Sequence, residues 1–310
     1  MSLRFVRLYA HAERHARALH PRAGRRRSAR RGTSLALGAA ALVLLLPSCA
    51  AGQSLHAIDV ARMARDSQPL AVKVRYGAGR FTLRGAESPY LYRMQLRYDD
   101  RRSKPVSRWD LASRTLTVGL EGGDMKWSSG KRNEAGDMTL ALARTVPMDL
   151  SLELGATEST LDLSGIRLRT VSIKSGASAT KVRFDAVTAS PVERIDVDAG
   201  AAAFQAIGLA NSGVARMVVN GGLGLIELDF NGVFRRDVEL DLTVAVGGAE
   251  ITVPTDLGVR IFGEKTFGTF DFEGLTQVGN TWETPGFADA KHKLVVRAKT
   301  AVGALKLVRR

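Results

Sequence analysis

From Asp149 onward the chain alternates apolar and polar residues in short runs, each run stops at a glycine, and the unit returns about every 22 residues. Ser151 to Gly155, Val171 to Gly176, Ile195 to Gly200 and Met217 to Gly222 open four successive units. Further anchor glycines fall at Gly247, Gly268 and Gly303. Superposed on their glycines, the units place Leu152, Ile173, Val197 and Val219 in one inward row, while Glu153, Lys174, Asp198 and Asn220 fill the next, outward row. A period of two predicts strands. Units this short cannot bury an apolar face alone, so neighbours must stack. The expected fold is all-β: a single-chain β-solenoid over 149–310 with coils of about 22 residues.

The same form begins upstream at Leu70. Val72 to Gly85 reads as strand, glycine, strand, and Tyr90, Tyr92, Met94, Leu96 and Tyr98 alternate with Leu91, Arg93, Gln95 and Arg97 as one half-buried strand. Leu116 to Leu120 and Met138 to Leu142 supply further strands around a polar loop at 128–136. We read 70–148 as an N-terminal β module and 49–69 as a tether in which Val60 to Arg65 form a helical turn or two. Residues 274–290 stretch the last glycine interval to 35 residues and carry Trp282, Pro285 and Phe287. That insertion is expected to cap the last coil, because solenoid ends expose strand edges.

The first 31 residues hold ten arginines and one acid, and Leu35 to Leu46 is apolar or small throughout. This is the layout of a secretory signal peptide, here 1–48. Its apolar run is too short to span a bilayer, which takes about 20 residues. Leu46-Pro47-Ser48-Cys49 resembles a bacterial lipobox, in which Cys49 is lipidated and becomes the mature N-terminus. Ordinary signal-peptidase cleavage near Ser48-Cys49-Ala50 is the competing reading. Cys49 is the one cysteine in the chain, which excludes an internal disulfide framework. Ala50 lacks the aspartate that retains lipoproteins at the inner membrane, which favours the outer membrane. Of the formal net charge of +14, residues 1–48 supply +9, leaving +5 for the rest. The basic balance is mostly an export address, and nucleic acid is not an expected partner.

Candidate chemistry is sparse. His11 and His15 flank Glu13 at helical spacing, but inside the signal segment, and His56 and His292 lie far apart with no cysteine near them. Ser178-Ala179-Thr180-Lys181 matches S-x-x-K, with Lys174-Ser175-Gly176 close to K-T-G, yet in the wrong order and within one coil. Asp196 with Asp198, and Asp237 with Glu239 and Asp241, share strand faces and could serve a β-helix lyase or hydrolase acting on envelope or extracellular glycan, which needs two carboxyls at a defined separation. The outward row nevertheless mixes signs. Gly221-Gly222-Leu223-Gly224 lacks the lysine and helix of a phosphate loop. The stretch from Tyr90 to Trp109 interleaves tyrosines with Arg93, Arg97, Arg101, Arg102, Lys104 and Arg108, a surface for an anionic glycan or lipid phosphate if it is not an edge hairpin. No catalytic, cofactor-binding or metal-binding residue is assigned. A transmembrane β-barrel is disfavoured by the missing aromatic girdles and by the glycine period.

The C-terminal residues carry a resemblance. Ile251 to Val259, Phe267 to Phe272, Trp282, Lys291 to Lys299 and Val302 to Leu307 resemble the C-terminal domain of LiaF-type cell-wall-active antibiotic response proteins and the related toast-rack β-solenoids. Gly79 to Tyr98 is similar to the N-terminal toast-rack module, so the likeness covers about 70–310. It implies a β-solenoid and supplies no catalytic residues. LiaF-type proteins restrain an envelope-stress kinase through several membrane helices that this pattern lacks. The expectation is a non-enzymatic, lipid-anchored bacterial envelope protein, a scaffold, adhesion or stress-signalling surface whose partners are the membrane and an envelope protein or cell-wall glycan.

Overall fold

The computed structural model describes residues 55–86, 89–101, 103–121 and 136–310. Residues 1–48, read above as a signal peptide, and Cys49 lie outside the described residues, as does most of the polar stretch at 128–136. Sixteen strands are described, and they join in one hydrogen-bonded sheet system wound as a β-solenoid. The long strands each make a whole coil: β2 (Leu70–Ala86), β7 (Met148–Asp162), β10 (Arg194–Ile207), β11 (Arg216–Asp229), β12 (Val238–Val253), β13 (Gly258–Phe272) and β16 (Lys293–Arg309). Two further coils are split, one into β5 (Thr115–Glu121) and β6 (Asp137–Ala143), the other into β8 (Leu168–Ser175) and β9 (Ala179–Arg183). All pair in parallel with their neighbours in the stack.

Each coil bends once, near its middle, and the side-chain alternation changes phase there. In β10 the buried residues are Ile195, Val197 and Ala199 before the bend and Ala202, Phe204 and Ala206 after it. Odd positions face inward first and even positions afterwards, so both arms of the coil present an apolar face to one interior. The expected core row forms in register: Leu152 pairs with Ile173, Ile173 with Val197 and Val197 with Val219, and the row continues through Leu242 to Ala298. Every member is buried to within 1 % of complete. Apolar burial at about 25 cal/mol per Å² makes this row the main stabilising feature.

Three expectations need correction. Residues 55–63 are not tether or helix but β1 (Leu55–Met63), antiparallel to β3 (Tyr90–Asp99). Ile58 and Val60 alternate with polar residues and pack partly buried against the core, and that alternation outweighs the helical reading of Val60 to Arg65. β3 in turn lies between β1 and β6, so it is not the edge of a hairpin. The second correction concerns order. The stack does not follow the sequence at its C-terminal end, where β16 inserts between β12 and β13. Leu294, Val296, Leu305 and Leu307 of β16 are all buried, and β16 pairs in parallel with β12 on one side and β13 on the other. β13 instead ends in Phe270 and Phe272, half-buried rings suited to closing an end.

The third correction concerns the glycines. Gly222 lies one residue beyond Gly221, the partner of Val244, so the position of Gly222 in the next coil is Ala245; Gly247 pairs with Gly224 instead. The anchor glycines therefore belong to two rows set two residues apart. Because the strand period is also two, the misalignment leaves the core row intact.

Antiparallel strands lie at both ends of the stack. At one end lie β1, β3 and the hairpin of β4 (Lys104–Asp110) with β5. At the other, β14 (Thr276–Val278) and β15 (Thr281–Glu283) fold back on Arg260–Phe262 of β13. Trp282 packs edge-on against Phe270 and Phe272 at ring-centre distances of 5.5 and 5.3 Å. The insertion thus covers β13, the spatially last coil, and not β16.

Candidate binding groove

An open groove of about 770 Å³ runs along the bend of β2, β7, β8, β10 and β11. Its floor is a row of backbone: Gly77, Gly155, Gly176, Gly200 and Gly222. Five strands at about 4.8 Å spacing make it roughly 20 Å long. At Gly155 and Gly222 the floor needs glycine because the coils approach closely, whereas Gly77 has open space beside it and Gly176 and Gly200 meet nothing nearer than 3.2 and 3.1 Å. A Cβ on Gly155 would stand 2.1 Å from the Gly77 carbonyl oxygen, and one on Gly222 2.7 Å from that of Gly200.

One wall is the outward row of the sequence pattern. Arg75, Glu153, Lys174, Asp198 and Asn220 follow one another in register, and all line the groove. Arg75 Nε lies 3.1 Å from Glu153 Oε2, and Asn220 Nδ2 donates to Asp198 Oδ1 at 2.9 Å. Charges of alternating sign thus stand about one strand spacing apart along a floor without side chains. Tyr76, buried beneath the same wall, has its phenol pushed above the ordinary range by burial, with the Asp137 charge adding to the effect. It is a packing residue and stays protonated.

The carboxylates considered for glycan chemistry are placed by arginines. Asp196 lies 2.7 Å from Arg194, and Asp241 2.8 Å from Arg216 and 3.5 Å from Arg297. Glu239 bridges the same two arginines at 3.9 and 3.5 Å, and Asp237 accepts from the Lys293 backbone N–H. The pairs of Asp241 and Glu239 with Arg216 and Arg297 run between coils, while Arg194–Asp196 lies within β10, and in each the carboxylate is engaged by a guanidinium and not turned to a free site. Ser178 is buried and shares a hydrogen bond with Thr180, whereas Lys181 of the S-x-x-K match points outward. His56 sits on β1 and His292 stacks on Phe234 just before β16. Among the described residues no group of three or more potential ligands could hold a metal ion.

The aromatic-basic stretch is likewise mostly structural. Tyr92 is buried with its hydroxyl 2.7 Å from Ser107 Oγ, Arg93 is paired to Asp59 at 2.6 Å, and Arg62 stacks over Trp109. Sequence reasoning found the groove's charged row but not the groove. Its signal was the coincidence of that row with a glycine two residues later in each of four consecutive units.

Residues 53–206 match the family model described as the N-terminal domain of toast_rack, DUF2154. This part of the chain belongs to the toast-rack family. The matched segment ends inside β10, so the toast-rack part contributes four of the five groove glycines and the coils beyond it extend the same stack. Among solved structures, the chain is similar to a "putative cell adhesion protein" from Clostridium sporogenes ATCC 15579, at 16% identity over 82% of this chain and 100% of that one, with a TM-score of 0.43. It is also similar to a "putative adhesin" from Bacteroides fragilis NCTC 9343, at 12% identity over 83% of this chain and 98% of that one, with a TM-score of 0.38. No curated protein matches the chain. Among the described residues no helix is long and apolar enough to cross a membrane.

Proposed function

We propose that this toast-rack protein is a non-enzymatic, lipid-anchored scaffold or adhesion surface of the bacterial envelope, tethered through Cys49 and binding an extended polymer in the glycine groove. The observation that carries the reading is the groove itself. A floor of bare backbone admits a chain laid across the coils, and a wall of alternating charge recognises polar groups along it. The occupant is an extended segment of an envelope protein or a cell-wall glycan strand, both of which offer repeated polar groups. A lyase or hydrolase is the weaker reading, because Asp196, Glu239 and Asp241 are held by arginines.

Reversing the wall tests the groove. Lys174→Glu together with Asp198→Lys should lower retention of the protein on isolated, crosslinked envelopes about tenfold or more, with an unchanged thermal midpoint. Full retention by this variant would remove the groove from the interaction. Cys49→Ala tests the anchor separately, and should move a membrane-associated protein into the soluble envelope fraction. Acyl label incorporated equally by the variant would refute the lipid assignment.

A further inference from the structure

The groove and its charged wall share one period. Arg75, Glu153, Lys174, Asp198 and Asn220 stand one strand apart, so the sign alternates and a cation recurs on the second coil after Arg75. Lys174, at the centre, makes no ion pair or hydrogen bond among the described residues, whereas Arg75 sits against Glu153 and Asp198 accepts from Asn220. On the other side of the floor the row is low and apolar, with Ala78, Ala156 and Ala201. The two sides of the floor therefore offer different chemistry, charge on one and small methyl groups on the other.

Resting on the groove reading above, we propose that the occupant is an acidic glycan. It is an extended β-1,4-linked chain with a carboxylate on every second sugar, laid along the stack with its acids on Arg75 and Lys174. Such a chain advances about one strand spacing per sugar, so one sugar lies over each coil along the whole groove. A polypeptide strand advances about 3.3 Å per residue and falls out of step with the coils at once. Successive sugars of an extended β-1,4 chain are also turned over, so substituents on every second sugar project to the same side. Acids on alternate sugars thus all meet the cations, and the intervening sugars turn hydroxyl or amide donors toward Glu153 and Asp198. An acid on every sugar would instead point half of its carboxylates at the alanine side. The ring faces lie on the bare backbone of Gly155, Gly176 and Gly200, where no side chain lifts them off.

Isothermal titration of the full chain in mild detergent reads the contact, with a peptide-free cell-wall glycan hexasaccharide in which N-acetylglucosamine alternates with N-acetylmuramic acid. It should bind about tenfold or more tighter than the neutral hexamer of N-acetylglucosamine, and tighter than a β-1,4-linked hexamer of mannuronic acid, which is acidic on every sugar. Lys174→Gln should weaken the alternating glycan about fivefold or more. Asn220→Lys adds a cation in phase, two coils beyond Lys174, and should tighten it about threefold. Asp198→Lys makes the larger change in net charge but out of phase, and should tighten it less. Unchanged thermal midpoints report that the variants fold. Equal affinity for the neutral and alternating hexamers, or greater tightening by Asp198→Lys than by Asn220→Lys, would overturn the proposal. If no hexasaccharide binds while Lys174→Glu with Asp198→Lys still loses envelope retention, the glycan is refuted and the groove stands with a protein segment in it. If that variant is also fully retained, the groove reading falls as well.

Discussion

Along β2, β7, β8, β10 and β11 the residue at the bend is glycine and the surface is a groove; along β11, β12, β16 and β13 the surface is a ridge. The following row reads Ala78, Ala156 and Ala201 in the first region. In the second it reads Leu223, Val246, Val302 and Phe267, paired in register and exposed at 57, 42, 47 and 70%. In β12 and β16 the difference goes with where the bend glycine sits, although β2 in the groove region also carries a positive-φ glycine two residues past its floor glycine, Gly79 at 114°. In the ridge region Gly224, Gly247 and Gly303 take φ of 132°, 129° and 147°, a backbone that L residues rarely adopt. With the turn made two residues later, the earlier positions are free to be Ala245 and Ala301, and the residue between points outward and carries a large side chain. One coil design thus yields a polar channel or an apolar crest according to a shift of two residues, with the core row unchanged beneath both.

If the two regions share one core, a charge in that core should cost both. Val197 is buried at the centre of the common row, and Val197→Asp would strand a carboxylate there, costing about 4 kcal/mol or more unless it neutralises. Loss of a cooperative thermal transition, or a fall in midpoint of about 10 °C or more, is the expected calorimetric result. A soluble variant with an unchanged midpoint would break the register on which the comparison stands.

Glycine substitutions sharpen it, because Gly303 in the ridge and Gly200 in the groove floor should respond unequally. At Gly303 a Cβ would lie 1.7 Å from the Gly247 carbonyl oxygen, in a positive-φ conformation, so Gly303→Ala should cost about 3 kcal/mol. At Gly200 the nearest atom is 3.1 Å away and φ is ordinary, so Gly200→Ala should cost less than about 1 kcal/mol. Denaturant midpoints of the two variants measure the contrast. Equal costs would mean that the groove floor at Gly200 is as constrained as the ridge turn at Gly303.

The smallest expected effect concerns the end near the groove, where β1 rests on β3. Arg93 and, less strongly, Gln95 donate to Asp59 and hold its carboxyl below the ordinary range. A depressed carboxyl stabilises above its unfolded value of about 3.9 and loses that contribution as pH falls through the folded value. Hydrogen exchange in 55–63 should therefore quicken below about pH 4 before the coils beyond it respond. Asp59→Asn should remove the pH dependence of this local opening. Exchange that rises at the same pH throughout the stack would assign the acid sensitivity elsewhere.

How much was legible in the residues varies with distance along the chain. Leu152, Ile173, Val197 and Val219 were readable as one row because each follows from alternation within a strand and from a short repeat between strands, both local properties. Glu153, Lys174, Asp198 and Asn220 were readable as a solvated row for the same reason. The groove they border was not, since a cleft exists only when the bends of five coils are superposed. Val60 to Arg65 misled because six residues satisfy a helical turn as well as a strand, and only the partner β3 decides between them.

The sequence by itself determined the period, the all-β class and the inward and outward rows, because side-chain alternation and glycine spacing are set by the backbone of single strands. Tertiary structure alone decided that β16 stacks between β12 and β13 and that the anchor glycines fall into two rows. These depend on which apolar faces meet across long connections. A strand with an apolar inward face is compatible with more than one place in a stack, and only the pairing of β16 with β12 and with β13 shows which place it takes.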